Sequence, residues 1–196
     1  LRILGIDPGY AIVGWGVVDY EKNKFHVVDY GAITTEAGTP FPERLNIIYE
    51  DMKYILQRTN PEAMSMEKLF FQNNAKTAID VAQARGVLML AARQCGVDVF
   101  EYTPLQVKQG VTGYGLAEKK QIQEMTKTIL GLEKIPKPDD TADALAMAIC
   151  HAHCNGVLST PSTTGNGFGK RDAEALEMVD GIIRVGKRIL KERKGI

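Results

Sequence analysis

Little in this 196-residue chain is extreme, and the absences are informative. Lys and Arg number 24, as do Asp and Glu, so the formal net charge is zero. The chain as a whole has no electrostatic pull toward nucleic acid, and any such binding must come from local clusters of Lys and Arg. Cysteine is scarce. Cys95, Cys150 and Cys154 form no disulfide framework, and their odd number suits free thiols in a reducing cytoplasm. No apolar run approaches the roughly 20 residues that a membrane span needs, and the first residues enter a strand-like segment with no basic leader or signal-type apolar core. A soluble, cytoplasmic protein without a membrane partner is expected. Apolar residues, in contrast, make up 44% of the chain, enough for a true core in one sizeable domain.

Residues 2–6 read as a short buried strand halted by the turn signal Asp7-Pro8-Gly9. Two β-rich runs, 13–20 and 25–34, flank the polar stretch Glu21-Lys22-Asn23-Lys24 and complete a three-strand meander. Helical spacing of Leu45, Ile48, Met52, Ile55 and Leu56 predicts a helix over 41–59, ended by Asn60-Pro61. A strand follows at 62–67, then a long helix at 75–95 that is apolar on nearly every side, from Val87 to Ala92. Such a helix must be covered twice, by its own sheet and by something else, for which a second copy is the simplest candidate. Gly86 within it is costly unless another backbone approaches there. A fifth strand at 97–102, a short helix at 103–111, and helices at about 117–131 and 139–154 complete an α/β three-layer fold with a five-stranded mixed sheet flanked by helices.

Four carboxylates interrupt this apolar pattern. Asp7 ends the first strand and Glu67 the fourth, while Asp140 and Asp143 open the last of these helices. An unpaired buried charge is costly, so an acid is normally avoided in such places. Each has an ordinary explanation: Asp7 before Pro8 suits an Asx-turn, and Asp139 or Asp140 suits a helix cap. Asp143 is harder to explain this way, because it shares a face with Met147 and Cys150 on an otherwise apolar helix. Strand ends line ligand sites in α/β sheets. Two strand-end acids and two at a helix N-terminus could therefore converge on hard divalent cations.

Other motifs are more equivocal. Cys150-His151-Ala152-His153-Cys154 has a zinc-like composition, but a helix scatters these residues over several faces and no second ligand pair appears. Lys108, Lys119 and Lys120 surround the loop Thr112-Gly113-Tyr114-Gly115, where solvated lysines are the ordinary outcome. Phe70 and Phe71 follow Glu67; two consecutive aromatics cannot both point inward, and an exposed one could stack on an unpaired base.

Taken in order, Leu4-Gly5-Ile6-Asp7-Pro8-Gly9, Glu67-Lys68-Leu69-Phe70-Phe71, Gln83-Ala84-Arg85-Gly86-Val87, Tyr102, Gln106-Val107-Lys108-Gln109, Ala117-Glu118-Lys119, Asp140-Thr141-Ala142-Asp143 and His151-Ala152-His153 closely resemble the RuvC Holliday-junction resolvases, of the ribonuclease H-like superfamily. The resemblance spans about residues 2–154. It implies that Asp7, Glu67, Asp140 and Asp143 hold two Mg²⁺ ions (Mn²⁺ substituting) at a scissile phosphate. One ion would generate the attacking hydroxide and the other would stabilise the leaving 3′ oxygen, leaving a 5′-phosphate. It further implies that Lys108 and Lys119 contact DNA, with Lys119 also assisting catalysis, that Arg85 contacts DNA, and that Phe70 stacks near the junction crossover. The 75–95 helix would form a homodimer interface, placing two sites on strands of like polarity in four-way junction DNA. The branch-migration proteins RuvA and RuvB are implied partners.

The nuclease domain is expected over 1–155. Residues 156–170 read as a flexible Ser/Thr/Gly/Pro-rich linker, and 171–196 as a basic amphipathic helix outside the family pattern that could add phosphate contacts. Three rival classes are weaker. An actin-like ATPase needs a second nucleotide-binding domain, a non-catalytic junction scaffold would lack the acids, and a nuclease for RNA or RNA/DNA hybrids would not need the dimer helix.

Overall fold

The structure is a computed structural model that describes the backbone of residues 1–68 and 75–155. Phe70, the expected linker at 156–170 and the expected basic helix at 171–196 lie outside the described residues.

The chain builds β1 (Arg2–Asp7), β2 (Ile12–Glu21), β3 (Lys24–Thr34), α1 (Phe41–Thr59), β4 (Ala63–Glu67), α2 (Ala75–Gln94), β5 (Asp98–Tyr102), α3 (Pro104–Thr112), α4 (Lys119–Ile129) and α5 (Asp139–Asn155). The strands form one sheet in the order β3-β2-β1-β4-β5. β1 pairs antiparallel with β2 and β2 with β3, whereas β1–β4 and β4–β5 are parallel. The expected mixed five-stranded α/β fold is what forms. The β2–β3 turn needs the left-handed backbone of Lys22 and Asn23 (φ 49° and 62°). Turns of this hand match the right-handed twist of the strands they join.

Strand alternation divides the core into two layers. Leu4 and Ile6, with Val13, Trp15, Val17, Met64 and Met66, pack with Ile48, Met52 and Leu56 of α1 and with Ala84, Leu88, Ala91 and Ala92 of α2. Ile3 and Val18 face the other way, onto Leu145, Ala148 and Ile149 of α5 and Val111 of α3. α1 stops where Asn60 turns left-handed (φ 45°) and its N–H bonds back to the Leu56 carbonyl, directly before Pro61. α3 is fixed at its start by reciprocal bonds, Gln106 N–H to Thr103 Oγ1 at 3.2 Å and Thr103 N–H to Gln106 Oε1 at 2.9 Å.

Among the described residues, α2 is covered on one side only. Ile79 is 60% exposed and Leu90 52%, with Met89 also exposed. No described atom lies within 4 Å of where a Cβ on Gly86 would stand. Thus no backbone among the described residues accounts for this mid-helix glycine.

Candidate active site

The site begins with strand register. Ile6 lies beside Met66 in the parallel β1–β4 pair, so the next residues, Asp7 and Glu67, end neighbouring strands at the same edge of the sheet. Since Leu4, Ile6, Met64 and Met66 all face α1 and α2, alternation sends Asp7 and Glu67 to the opposite face, where α5 lies.

Glycine determines how close α5 comes. Gly5 on β1, and Gly14 and Gly16 on β2, occupy that same face and are paired or adjacent in register. A Cβ on Gly5 would stand 1.9 Å from the Ala144 carbonyl oxygen, and one on Gly14 would stand 2.0 Å from the carbonyl oxygen of Asp140. A Cβ on Gly16 would meet Leu145 Cδ2 at 2.5 Å. The helix backbone therefore rests directly on the strand backbone, which brings its acidic first turn over the end of β1. Thr141 Oγ1 donates to the Gly31 carbonyl at 3.1 Å and holds the same turn toward β3. From Thr141 to Cys150 every residue is buried except Asp143. Its side chain is 26% exposed and meets the Lys119 ammonium, Nζ to Oδ2 at 2.7 Å.

The electrostatics follow from this crowding. Burial first, and then the charges of Asp143, Asp140 and Glu67, push the Asp7 carboxyl up to about 7, with Lys119 opposing. The Glu67 carboxyl is raised by burial and by Asp143, and lowered by Arg85. Lys119 is held above its usual range, chiefly by its hydrogen bond to Asp143. Four acids are thus gathered against too little positive charge, and all their donor atoms are hard oxygens suited to Mg²⁺ or a similar divalent ion. Among the described residues no three His, Cys, Asp or Glu side chains are placed to hold a metal ion as they stand.

The structure therefore brings together Asp7, Glu67, Asp140, Asp143 and Lys119. Lys108 lies on α3, half-buried and without an ion pair among the described residues. Arg85, expected to contact DNA, is engaged within the chain. It falls on the inner side of α2, with Ala84 and Leu88, and its guanidinium bonds the Glu67 carbonyl and the Glu101 carboxylate. His151 and His153 are engaged separately, with the Tyr102 hydroxyl at 2.7 Å and the Gly110 carbonyl at 2.7 Å. Sequence reading missed the three glycines, the Lys119–Asp143 pair and Glu101. The alternation Gly14-Trp15-Gly16 was a usable signal, because it leaves one strand face without side chains. Two surface cavities, of about 520 and 420 Å³, are lined by other residues, including Lys53, Gln94 and Cys95, and Tyr114 and Met125. The acids lie at the edge of the sheet, outside both.

Sheet order, strand polarity and the position of the acids define a ribonuclease H-like nuclease fold. Residues 3–151 match the family model described as crossover junction endodeoxyribonuclease RuvC. The chain belongs to this RuvC family, whose members are nucleases dependent on divalent metal. It is 60% identical over 159 residues to the crossover junction endodeoxyribonuclease RuvC of Brevibacillus brevis, covering 81% of this chain and 96% of that one. It is also similar to the solved Thermus thermophilus RuvC structure, with 36% identity, a TM-score of 0.76, and coverage of 82% and 98%. A second similar structure is T. thermophilus RuvC in complex with Holliday junction substrate, at 34% identity and a TM-score of 0.75, covering 81% and 98%.

Proposed function

We propose that this chain resolves four-way (Holliday) junctions by paired, symmetric nicks in strands of like polarity, leaving 5′-phosphate and 3′-hydroxyl ends, in DNA recombination and repair. The observation that carries this reading is the set of acids on a backbone-to-backbone contact: Asp7 and Glu67 at adjoining strand ends, with the first turn of α5 pressed over them. Membership of the RuvC family, and the junction-bound T. thermophilus structure, support the choice of substrate.

In this reading Asp7, Glu67, Asp140 and Asp143 hold two Mg²⁺ ions per site, with Mn²⁺ able to replace them. When bound, such ions stabilise charge on the scissile phosphate and lower the pKa of an attacking water. The carboxylates would hold the ions and orient an attacking water and the phosphate, with Asp7 acting in its ionised form. Lys119, tethered to Asp143, supplies positive charge beside the reacting phosphate, and Lys108 on α3 contacts the DNA backbone. Phe70, which follows β4 closely in sequence, would stack on a base near the crossover. The exposed apolar face of α2 would meet a second copy, giving two sites for the two nicks. RuvA and RuvB are the proposed partners in the cytoplasm, and residues 156–196 are proposed as an appendage that adds phosphate contacts to the nuclease domain at 1–155.

A Mg²⁺-dependent cleavage assay comparing a four-way junction, linear duplex and an RNA/DNA hybrid tests this. The junction should be cut preferentially. Asp7→Asn and Asp143→Asn should each abolish cutting while leaving junction binding largely intact. Full activity in both variants would refute the metal assignment.

A further inference from the structure

Arg85 is a buried cation at the site to which the proposed chemistry gives no task. Its side chain is 7% exposed, although arginine is almost never buried without partners. Two are present: the guanidinium donates through Nη1 to the Glu67 main-chain carbonyl and through Nη2 to the Glu101 carboxylate. Glu101 lies beside Met66 in the β4–β5 pair, and Met66 faces α1 and α2. Arg85 and Glu101 therefore meet on the α2 face of the sheet, while the Glu67 side chain leaves on the α5 face. The guanidinium grips the backbone of an acid whose carboxylate works on the other side.

That carbonyl has few alternatives. The last β4–β5 rung is closed by Lys68 N–H to the Tyr102 carbonyl at 2.8 Å. Main-chain groups alternate along a strand, so the Glu67 carbonyl turns away from β5 toward β1, where the residue after Asp7 is Pro8, which has no N–H to donate. A planar fork can serve a carbonyl and a carboxylate at once, whereas the ammonium of lysine is a single compact charge.

We infer that Arg85 is a positioning residue: together with Glu101 it fixes the backbone of Glu67, and with it the metal site, to helix α2. The inference rests on the proposed reading of Glu67 as a metal ligand. Because α2 also carries the outward apolar residues Ile79, Met89 and Leu90, the seating of that helix and the geometry of the ligand depend on one side chain. The DNA contact expected of Arg85 from sequence would require this bracket to open.

The test uses the full chain carrying Arg85→Met, Arg85→Lys or Glu101→Gln. It measures Mn²⁺ binding without DNA by electron paramagnetic resonance, junction binding in EDTA across a salt series, and cleavage. Residues that orient metal ligands typically change affinity or activity by about 10- to 100-fold when replaced. Arg85→Met should therefore weaken Mn²⁺ binding about tenfold or more and slow cleavage about 100-fold, since a ligand displaced by about 1 Å can cost that much. Junction binding and its salt slope should stay within about twofold of the wild type, the scale of one lost hydrogen bond or less. Arg85→Lys should recover part of the loss. Glu101→Gln keeps the guanidinium and the fold, so it carries the same prediction in milder form should Arg85→Met not fold. A drop in junction affinity and salt slope with unchanged Mn²⁺ binding would make Arg85 a DNA contact and overturn the inference. Lower thermal stability with wild-type Mn²⁺ binding and cleavage in the folded protein would overturn it too. Glu67→Gln is the separating control: if that change leaves Mn²⁺ binding intact, the ligand assignment has failed, whatever Arg85 does.

Discussion

Replacing Asp7 by Asn should make the metal-free protein more stable, and increasingly so as the pH rises. In the folded chain the Asp7 carboxyl is raised from 3.8 to about 7 by burial and by Asp143, Asp140 and Glu67. Between those values the folded state keeps a proton that the unfolded chain has released, so the free energy of unfolding falls as pH rises through the window. At about 1.36 kcal/mol per pH unit, the penalty from Asp7 grows by roughly 2 to 3 kcal/mol from pH 5 to pH 8. His151 acts in the opposite direction. Burial lowers its pKa from 6.5 to about 4, so its contribution is fully present above 6.5 and is lost as the pH falls toward 4. The diagnostic quantity is therefore the difference between wild type and Asp7→Asn, in which His151 cancels. Urea unfolding in EDTA at pH 5 and pH 8 should show that difference widening by about 2 kcal/mol in favour of the variant. Saturating Mg²⁺ should shrink or reverse it, because ion binding stabilises the wild type by mass action. A difference that is flat with pH, or a variant less stable than wild type in EDTA at pH 8, would refute the crowding of charge around Asp7.

Gly14→Ala places a Cβ 2.0 Å from a helix carbonyl oxygen, so α5 must lift from β2. Denaturation should show a loss of about 1 to 3 kcal/mol or more, and cleavage should fall about 100-fold even in the folded fraction; normal activity would show that the contact does not set the site. Lys119→Met removes the ammonium 2.7 Å from Asp143. Mn²⁺ should then bind a few-fold more tightly while cleavage slows at least about tenfold, the scale of a single charge-assisted contact, and a parallel loss of both would make Lys119 a purely structural residue. Gly86→Ala meets nothing among the described residues and should add up to about 1 kcal/mol of helix stability. If a partner's backbone approaches there, sedimentation should show weaker dimerisation, whereas an intact dimer would exclude close approach at Gly86.

The elements were legible because their signals were local. The spacing of Ile48, Met52, Ile55 and Leu56 marks one face of α1, and those four residues are buried. Asp143 was legible as an acid among apolar neighbours on a helix. The support of the site was far less visible, because it is made by residues distant in sequence. Gly5 is informative only once β1 is paired with β2 and covered by α5. The Lys119–Asp143 pair joins the starts of two helices, and a lysine near a Gly-rich loop reads as solvent-exposed until α4 and α5 are packed. The contact of Arg85 with Glu101 was hidden for a related reason. The motif around Arg85 pointed to DNA, while the phase of α2 turns the side chain toward Glu101, and that phase is hard to read on a helix that is apolar all round.

The seating of α5 on Gly5, Gly14 and Gly16 also shapes how this enzyme can change. A glycine can mutate in only one direction, toward a larger side chain, and here every larger side chain collides with backbone or with Leu145. A tight fit between two side chains can drift by paired exchanges, one shrinking as the other grows. A fit between two main chains has no such reciprocal move. The spacing between the strand acid Asp7 and the helix acids is thus closed to gradual adjustment, and new specificity must arise in the surrounding lysines, loops and helices.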